Sequence, residues 1–362
     1  MQELKALKNL NSILEPIQQT HPLPALAAAI VTSEGMSAIG AVGERKYGSG
    51  IPVTIGDRFH LGSCTKAMTA TLLGRLVEAG QLEWQTTLAE AFPRLEMLPV
   101  YRSVTLEQLL SHQGGFPEPH QPWLPGKMTL EMLDLPGSIQ QQRYTYLTLA
   151  LQQPPLFAIG EFHYSNMGYV VAAAMAEQAL GASWEDLITQ QLFQPLGMTT
   201  AGFGPMGTPG QIDQPWQHIL ENGQIEAISP EPENDNPPLL APAGLVHCSL
   251  ADWGKFIALH LQGERGNSTL LKPETLQKLH TPVGESPQDS APGSYAFGWV
   301  ALERDWGGGR VLWHNGTNTL NYAVVWMAPQ RDFAIMAVTN IGGELAILPL
   351  DEAVGVALAS LH

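Results

Sequence analysis

The hexapeptide Leu61-Gly62-Ser63-Cys64-Thr65-Lys66 stands where an extended part of the sequence changes to a helical one. The apolar stripe that follows predicts a helix that begins at Ser63 and runs to Ala79. Residues three apart on a helix share a face, so we expect the Lys66 amine within hydrogen-bond reach of the Ser63 hydroxyl. A serine becomes a useful nucleophile when a base accepts its proton, and a lysine can be that base if burial lowers its pKa. Taken alone, Ser-x-x-Lys is more often an ordinary helix start with a solvated lysine.

Strands are predicted on both sides of this helix. Residues 26–32 and 36–42 have the pattern of a hairpin with a Ser33-Glu34-Gly35 turn. Four runs rich in β-branched and aromatic residues follow near the C-terminus, at residues 295–302, 310–313, 321–327 and 333–339, and a helix over residues 351–360 would cover them. The pattern indicates an α+β fold in which an antiparallel sheet is assembled from both chain ends and flanked by helices.

The middle of the chain predicts short helices separated by Pro and Gly. Thr105 begins a capping-box sequence, and Ser183 precedes an apolar helical run in the same way. Residues 202–242 have little periodicity and are expected to form a surface loop that can line a site. We therefore expect one α/β lobe from residues 1–82 and 290–362, and an inserted, mainly helical lobe with long loops from residues 83–289.

Composition narrows the classes of function. Hydrophobic residues make up 44% of the 362 residues and charged residues 14%, as in a well-buried globular enzyme. The formal net charge of -16 would repel phosphate backbones and anionic lipid, which argues against nucleic acid and membrane partners. No apolar run reaches the roughly 18 residues of a membrane span. We expect a small-molecule substrate.

The first residues and the cysteines bear on location. Residues 1–14 place Lys5 and Lys8 among leucines at helical spacing, which predicts an amphipathic opening helix and no signal peptide. For the chain as given we expect a cytoplasmic protein, or a periplasmic or secreted one if a leader has been removed. Cys64 and Cys248 are too few for a disulfide framework, so we expect both to be free and buried.

Several familiar site motifs are missing from the sequence. It contains no His-Glu-x-x-His, no Cys pair at zinc spacing and no Gly-x-Ser-x-Gly, so we predict no metal and no cofactor. Residues 202–207 fit Gly-x-Gly-x-x-Gly, but no suitable strand precedes them and no helix follows, which excludes a nucleotide site on this pattern. His112, in His112-Gln113-Gly114, is interpreted as a structural turn residue.

Two further motifs can complete a site around Ser63. In Tyr164-Ser165-Asn166, the phenol can relay a proton to a leaving group, and the Asn166 amide can hold Lys66 and a substrate carbonyl. A buried tyrosine beside a helix-capping Asn is the simpler interpretation of that tripeptide. In His314-Asn315-Gly316, the glycine would let a substrate backbone approach closely, although a lone histidine is usually structural.

The order of the three motifs resembles the class C β-lactamase superfamily, which includes DD-peptidases, D-aminopeptidases and the family VIII carboxylesterases, whose second motif carries Tyr. Other stretches resemble blocks of that family: residues 61–66, 109–117, 162–169, 195–198, 243–245 and 297–299. The resemblance runs from about Leu26 to the C-terminus. It implies a β-lactamase/DD-peptidase-like fold with the site in a cleft between two lobes.

The resemblance also implies roles for individual residues. Ser63 would be the nucleophile, with Lys66 and Tyr164 as the proton-transfer pair. The backbone N–H groups of Ser63 and Thr317 would form the oxyanion hole. Asn166, His314 and Gly316 would bind substrate.

The third motif departs from the usual Lys-Thr-Gly of class C β-lactamases. A histidine with an ordinary pKa near 6.5 is mostly neutral at pH 7, so His314 attracts a substrate carboxylate less than lysine does. Residues 317–321 also lack the glycines expected there, which weakens the oxyanion assignment. We therefore predict a carboxylesterase-like serine hydrolase acting on a small ester, with a β-lactamase or a D-amino-acid peptidase/DD-carboxypeptidase acting on a lactam or D-peptide as the alternative. A non-catalytic binding protein of the same fold is the second alternative.

Overall fold

The computed structural model describes residues 8–130, 133–284 and 293–361. The strands are β1 (Lys8–Asn9), β2 (Ala25–Thr32), β3 (Gly35–Gly43), β4 (Arg58–His60), β5 (Gly202–Phe203), β6 (Gln217–Glu221), β7 (Gln224–Ile228), β8 (Val246–Ser249), β9 (Ser294–Tyr295), β10 (Val300–Arg304), β11 (Gly309–Thr317), β12 (Tyr322–Ala328) and β13 (Phe333–Thr339). The helices are α1 (Asn11–Thr20), α2 (Thr65–Glu78), α3 (Leu88–Ala91), α4 (Leu106–Leu110), α5 (Ile139–Ala150), α6 (Asn166–Leu180), α7 (Trp184–Ile188), α8 (Gln194–Leu196), α9 (Ala241–Gly244), α10 (Leu250–Glu264), α11 (Pro273–Leu279) and α12 (Glu344–Ala359).

The main sheet has the order β1-β3-β2-β13-β12-β11-β10-β9 and joins both ends of the chain. Every neighbouring pair in it is antiparallel except β1 with β3. The predicted antiparallel sheet is thus confirmed, and β13 has the predicted bounds. Alternate side chains of β2 enter different cores: Ala27 and Ala29 pack with the helices around α2, and Ala28 and Ile30 with the layer of α1 and α12.

The prediction of an opening helix over residues 1–14 was wrong for Lys8 and Asn9, which form β1, and correct for residues 11–14, which lie in α1. Lys8 and Asn9 pair with Ala38 and Ile39 of β3, so their backbone groups belong to the sheet, and α1 begins only at Asn11. Residues 1–7 lie outside the described residues.

Two predicted boundaries near the C-terminus were wrong. Residues 295–302 are not one strand, because the chain reverses between β9 and β10, where Ala296 N–H donates to Trp299 O at 2.7 Å. Gly298 has φ +80° at this turn, and a Cβ there would overlap the α2 backbone at Ala67. The last helix, α12, starts at Glu344 rather than at residue 351.

Residues 202–242 are more ordered than predicted. They contain β5, which pairs with β8, and the hairpin of β6 and β7. The two residues between β6 and β7 are Asn222 and Gly223, both with positive φ (50° and 77°), as the favoured two-residue hairpin turn requires. This Asn-Gly pair was the signal that the sequence interpretation missed.

Helix α2 lies at the centre of the helical part, where it contacts α6, α9 and α11. The predicted caps are present: Thr105 forms a capping box at α4, and the Ser183 side chain accepts from Asp186 N–H at α7. Helix α10, which falls within predicted lobe 83–289, packs on β2 and β3 of the main sheet. The boundary between residues 289 and 290 lies outside the described residues, and the division into two lobes stays a prediction.

Candidate active site

Ser63 lies on a tight turn between a short strand and the central helix. Strand β4 leads into one 3₁₀ turn over Gly62–Cys64, and α2 follows from Thr65, so the α-helix begins slightly later than predicted. Gly62 has φ +49°, and a Cβ on it would overlap Thr317 N and lie 2.5 Å from Gly316 C. Only glycine fits there, and the close approach sets the Ser63 turn against the end of β11.

Lys66 is completely buried, and its amine has three polar neighbours. Lys66 Nζ lies 3.0 Å from Ser63 Oγ, 2.6 Å from Asn166 Oδ1 and 2.8 Å from the Ala243 carbonyl oxygen. Burial lowers the pKa of Lys66 to about 7, although the Glu118 carboxylate opposes the shift. A neutral amine has two N–H groups for the two carbonyl oxygens, which leaves its lone pair for the proton of Ser63.

Asn166 is held in one orientation by a residue that the sequence interpretation missed. Glu118 Oε2 accepts from Asn166 Nδ2 at 2.7 Å, and Oε1 accepts from Asn166 N–H at 3.2 Å. The amide oxygen of Asn166 therefore faces Lys66. Burial raises the pKa of Glu118, while Lys66 and the Asn166 hydrogen bonds act in the opposite direction. No local pattern marks Glu118, because its partner is 48 positions away in the chain.

Tyr164 packs beside the same amine. Lys66 Nζ lies 4.8 Å from the centre of the Tyr164 ring. Burial raises the pKa of Tyr164 well above its ordinary value, and a side-chain hydrogen bond with Ser63 only partly opposes this shift. Tyr164 is therefore a protonated phenol at neutral pH.

His112 positions the backbone around Tyr164. Its carbonyl oxygen accepts from His163 N–H at 2.8 Å, and its Nδ1 accepts from Ser165 N–H at 3.0 Å. His112 has φ +61°, in agreement with its interpretation as a turn residue. Both neighbours of Tyr164 in the chain are thus tied to one buried histidine.

His314 is buried within β11 and is neutral. Its Nδ1 donates to the Asn315 carbonyl at 2.5 Å, so Nε2 accepts from the Tyr295 hydroxyl at 3.1 Å. Burial lowers the pKa of His314 most, and the charge of Lys66 lowers it further, to about 3. The sequence predicts a mostly neutral side chain at this position, and the low pKa of His314 agrees with that prediction.

Gly316 is required where β11 packs on the Ser63 turn. A Cβ on Gly316 would overlap the Leu61 carbonyl oxygen and lie 2.5 Å from Ser63 N. The Ser63 turn thus excludes a side chain here. The predicted close approach of a substrate backbone at Gly316 stays a prediction. Thr317 follows directly, so its backbone lies beside that of Ser63.

These residues surround a cleft of about 330 Å³. Its walls, as far as the described residues form them, are Ser63, Phe162, Tyr164, Gly293, Tyr295, Val300, Trp313, His314, Asn315, Gly316 and Thr317. The structure thus brings Ser63, Tyr164, His314, Gly316 and Thr317 of the predicted set to one surface, and Lys66 reaches Ser63 from behind it. Residues 202–242 supply none of these described wall residues, contrary to the prediction that they can line the site; they line a separate pocket of about 410 Å³.

Other predictions concern metals, cysteines and membranes. Within residues 8–130, 133–284 and 293–361, no three His, Cys, Asp or Glu side chains are grouped as a metal ion would need. Cys64 and Cys248 are free and buried, as predicted. Over the same ranges, no helix combines the length and apolarity needed to cross a bilayer.

The sequence and the fold are similar to those of known proteins. A family model described as Beta-lactamase matches residues 10–357. Penicillin-binding protein 4 of Amycolatopsis lactamdurans is 26% identical over 343 residues, covering 91% of this chain and 84% of that protein.

Two solved structures share the fold. EstCE1, a hydrolase with promiscuous acyltransferase activity, has a TM-score of 0.77 at 19% identity, covering 96% of this chain and 98% of that one. The D-amino acid amidase of Ochrobactrum anthropi SV3, complexed with L-phenylalanine amide, has a TM-score of 0.73 at 19% identity, covering 98% of this chain and 99% of that one. At 19% identity each likeness shows the fold alone.

Proposed function

The chain belongs to the beta-lactamase family, and on that basis we propose that it is a carboxylesterase-like serine hydrolase whose acyl-enzyme forms on Ser63. The chain is a serine hydrolase of a family that acts on ester, amide or lactam bonds. The observation that best supports an acyl-enzyme on Ser63 is the 3.0 Å contact between the buried Lys66 amine and Ser63 Oγ. A binding protein of the same fold would have no need for a buried amine at this distance from a hydroxyl.

Acylation begins when Ser63 Oγ attacks the ester carbonyl carbon. The Ser63 proton passes to neutral Lys66, and the carbonyl electron pair moves onto the oxygen, which is stabilised by the N–H groups of Ser63 and Thr317. The tetrahedral intermediate then breaks its bond to the alcohol oxygen. That oxygen takes the Tyr164 phenol proton, Lys66 returns its proton to Tyr164, and the alcohol leaves.

Deacylation repeats these transfers with water. The water oxygen attacks the acyl carbon while its proton passes to Lys66. The bond between that carbon and Ser63 Oγ then breaks, Lys66 gives the proton from water to Ser63 Oγ, and the carboxylic acid leaves. The enzyme returns to its initial protonation state.

The protonation states support Lys66 as the base and Tyr164 as the proton donor. With a pKa of about 7, Lys66 is substantially neutral at physiological pH. The raised pKa of Tyr164 disfavours a phenolate, so the tyrosine can give a proton to a leaving group but is a poor initial base.

The walls of the cleft favour an ester over a substrate with a free carboxylate. The wall residues that the structure describes include no lysine, arginine or acidic side chain, and His314 is neutral. A carboxylate there would lose hydration without gaining an opposite charge. Phe162, Trp313 and Val300 supply apolar surface for an acyl or alcohol group.

A labelling experiment tests the nucleophile. A fluorophosphonate should form one adduct, which peptide mapping should place on Ser63. Ser63→Ala should abolish labelling and ester turnover, whereas Ser37→Ala, whose hydroxyl bonds the Ile30 carbonyl in the sheet, should leave both intact. Adduct at another residue, or full turnover by Ser63→Ala, would contradict the proposal.

A substrate panel tests the reaction. Turnover of p-nitrophenyl butyrate, a chromogenic cephalosporin and a D-alanyl peptide should be measured with the same enzyme preparation. The proposal expects the highest kcat/KM for the butyrate ester. A higher value for the cephalosporin or the peptide would support lactamase or D-peptidase activity instead.

A further inference from the structure

The two segments that would bind the oxyanion are both tied to one buried carboxylate. Asp235 follows a 3₁₀ turn over Pro232–Asn234, and its side chain is 1% exposed. One carboxylate oxygen faces His60, which precedes the Ser63 turn, and the other accepts from Asn318, which follows Thr317. Asp235 itself does not line the cleft formed by the described residues.

The first link runs through His60. Gly62 N–H donates to His60 Nδ1 at 3.1 Å; because Nδ1 accepts, the ring proton is on Nε2. His60 Nε2 lies 3.2 Å from Asp235 Oδ2, and both side chains are almost fully buried, at 0% and 1% exposure. The two atoms are at ion-pair distance, and neither makes a hydrogen bond to the described residues. Asp235 thus favours the tautomer that leaves Nδ1 free to accept from Gly62.

The second link runs through Asn318. Asn318 Nδ2 donates to Asp235 Oδ1 at 2.9 Å and to Gln217 Oε1 at 2.6 Å. Asn318 Oδ1 in turn accepts from Leu320 N–H at 3.2 Å. These bonds hold a loop in which Thr319 has φ +71°, which is rare for a β-branched residue.

We propose that Asp235 is a positioning residue that holds the backbone N–H groups of Ser63 and Thr317 at the separation an oxyanion requires. The inference rests on the proposed acyl-enzyme at Ser63. An oxyanion hole depends on donors preorganised before charge develops, and here the donors come from chain segments about 250 positions apart. The buried carboxylate connects them without touching substrate.

Asp235→Asn tests the inference because it nearly keeps the side-chain volume. The new amide presents N–H groups to His60 Nε2–H, so the tautomer that serves Gly62 is no longer favoured. We expect kcat for p-nitrophenyl butyrate to fall about tenfold to a hundredfold, less than the roughly 10²–10³-fold loss on removing an oxyanion donor outright. KM should change less than about threefold, and the Ki of a boronic acid that mimics the tetrahedral intermediate should rise in parallel with the loss in kcat/KM.

Asp252→Asn is the matched control. Asp252 is also buried and hydrogen-bonded, since its Oδ2 accepts from both Thr200 N–H and the Thr200 hydroxyl at 2.6 Å, but it has no contact with the cleft. The Asp252→Asn substitution should lower the melting temperature without changing kcat or the Ki of the boronic acid. If Asp235→Asn behaves like this control while Ser63 still takes the fluorophosphonate, the inference is overturned and the proposed function stands. If wild-type Ser63 is not labelled, the proposed function fails.

Substitutions at His60 give a second measurement if Asp235→Asn does not fold. His60→Asn can keep a carbonyl acceptor near the position of Nδ1, whereas His60→Leu has no acceptor for Gly62 N–H. We expect the labelling rate of Ser63 to decrease in the order wild type, His60→Asn, His60→Leu. Equal rates for the two variants would overturn the inference.

Discussion

Lys66 Nζ lies 3.0 Å from Ser63 Oγ in a site where the lysine is completely buried. The amine faces two carbonyl oxygens, on Asn166 and Ala243, and these can accept from a neutral amine as well as from an ammonium ion. Burial makes the ammonium form costly, which brings the pKa of Lys66 to about 7. The contact therefore couples the reactivity of Ser63 to pH in the physiological range.

Ester hydrolysis should rise with pH as Lys66 loses its proton. Below a pH of about 7 the ammonium form predominates and cannot accept the Ser63 proton, so kcat/KM should fall tenfold for each further pH unit. The measurement is kcat/KM for p-nitrophenyl butyrate from pH 5 to 9, corrected for spontaneous hydrolysis. Lys66→Arg, which stays charged, should lose roughly 10³-fold in activity at pH 8. A flat profile would contradict the assignment of Lys66 as the base.

Glu118→Gln should move that profile to lower pH. The Glu118 carboxylate opposes the burial that lowers the pKa of Lys66, so removing its charge should lower this pKa further. The plateau activity should also fall several-fold, because Asn166 loses one of its two carboxylate acceptors. Glu161→Gln, at an exposed position, is the control and should leave the profile unchanged. A shift toward higher pH would contradict the electrostatic role of Glu118.

The part of the site that depends on local geometry was predictable from the sequence. Ser63 and Lys66 meet because they are three residues apart on one turn, and this spacing is readable without a structure. The Asn222-Gly223 turn is also a local signal, although many prolines surround it in residues 202–242.

The contacts that cross the fold were not predictable in this way. Glu118 reaches Asn166 over 48 positions, and Asp235 reaches Asn318 over 83. An acidic side chain in a loop is usually solvated, so only packing reveals that these two are buried against polar partners. The reversal at Gly298 was hidden for a related reason: β-branched and aromatic residues on both sides indicated one strand, but contact with Ala67 of α2 turns the chain.

His314→Lys should shift substrate preference toward molecules with a carboxylate. The neutral histidine accepts from the Tyr295 hydroxyl and gives no charge to the cleft, whereas a lysine would provide a cation. We expect the ratio of kcat/KM for a cephalosporin to that for p-nitrophenyl butyrate to rise about tenfold, which corresponds to about 1.4 kcal/mol. His314→Gln removes the ring without adding charge and is the control. An unchanged ratio would show that residue 314 does not determine the preference for substrates with a carboxylate.

The folded protein should lose stability when the pH falls from 7 to 5. Burial lowers the pKa of six histidines below the ordinary value, namely His112, His218, His247, His260, His280 and His314. The unfolded chain therefore binds more protons below its histidine pKa of about 6.5, so protonation favours unfolding. The melting temperature, measured by calorimetry in buffers of equal ionic strength, should fall over this range.

One buried histidine provides a control for the stability prediction. His260 bonds to His280 Nε2 through Nδ1 at 2.8 Å and is fully buried, so its protonation requires an unpaired internal charge. His260→Gln cannot be protonated and should reduce the difference in melting temperature between pH 7 and pH 5. A wild-type melting temperature that rises on acidification would contradict the prediction.

Gly316→Ala should impair both folding and catalysis, because the glycine allows β11 to lie against the Ser63 turn. The added Cβ would overlap the Leu61 carbonyl oxygen and lie 2.5 Å from Ser63 N, and these are backbone atoms that cannot move aside as a flexible side chain can. We expect the free energy of unfolding to fall by about 1–3 kcal/mol, the usual cost of overpacking, as measured by urea denaturation. The Ser63 turn must also shift, so the fluorophosphonate labelling rate should decrease in the fraction that remains folded.

Gly355→Ala is the comparison for this substitution. Gly355 lies in α12 with open space where the Cβ would be, so alanine should stabilise the helix by roughly 0.5–1 kcal/mol and leave the labelling rate unchanged. If the fluorophosphonate labelled Ser63 as fast in Gly316→Ala as in Gly355→Ala, the close packing of β11 on the Ser63 turn would not contribute to the reactivity of Ser63. The geometry predicts the opposite, because the backbone at Gly62 and Ser63 packs directly against the backbone at Gly316 and Thr317.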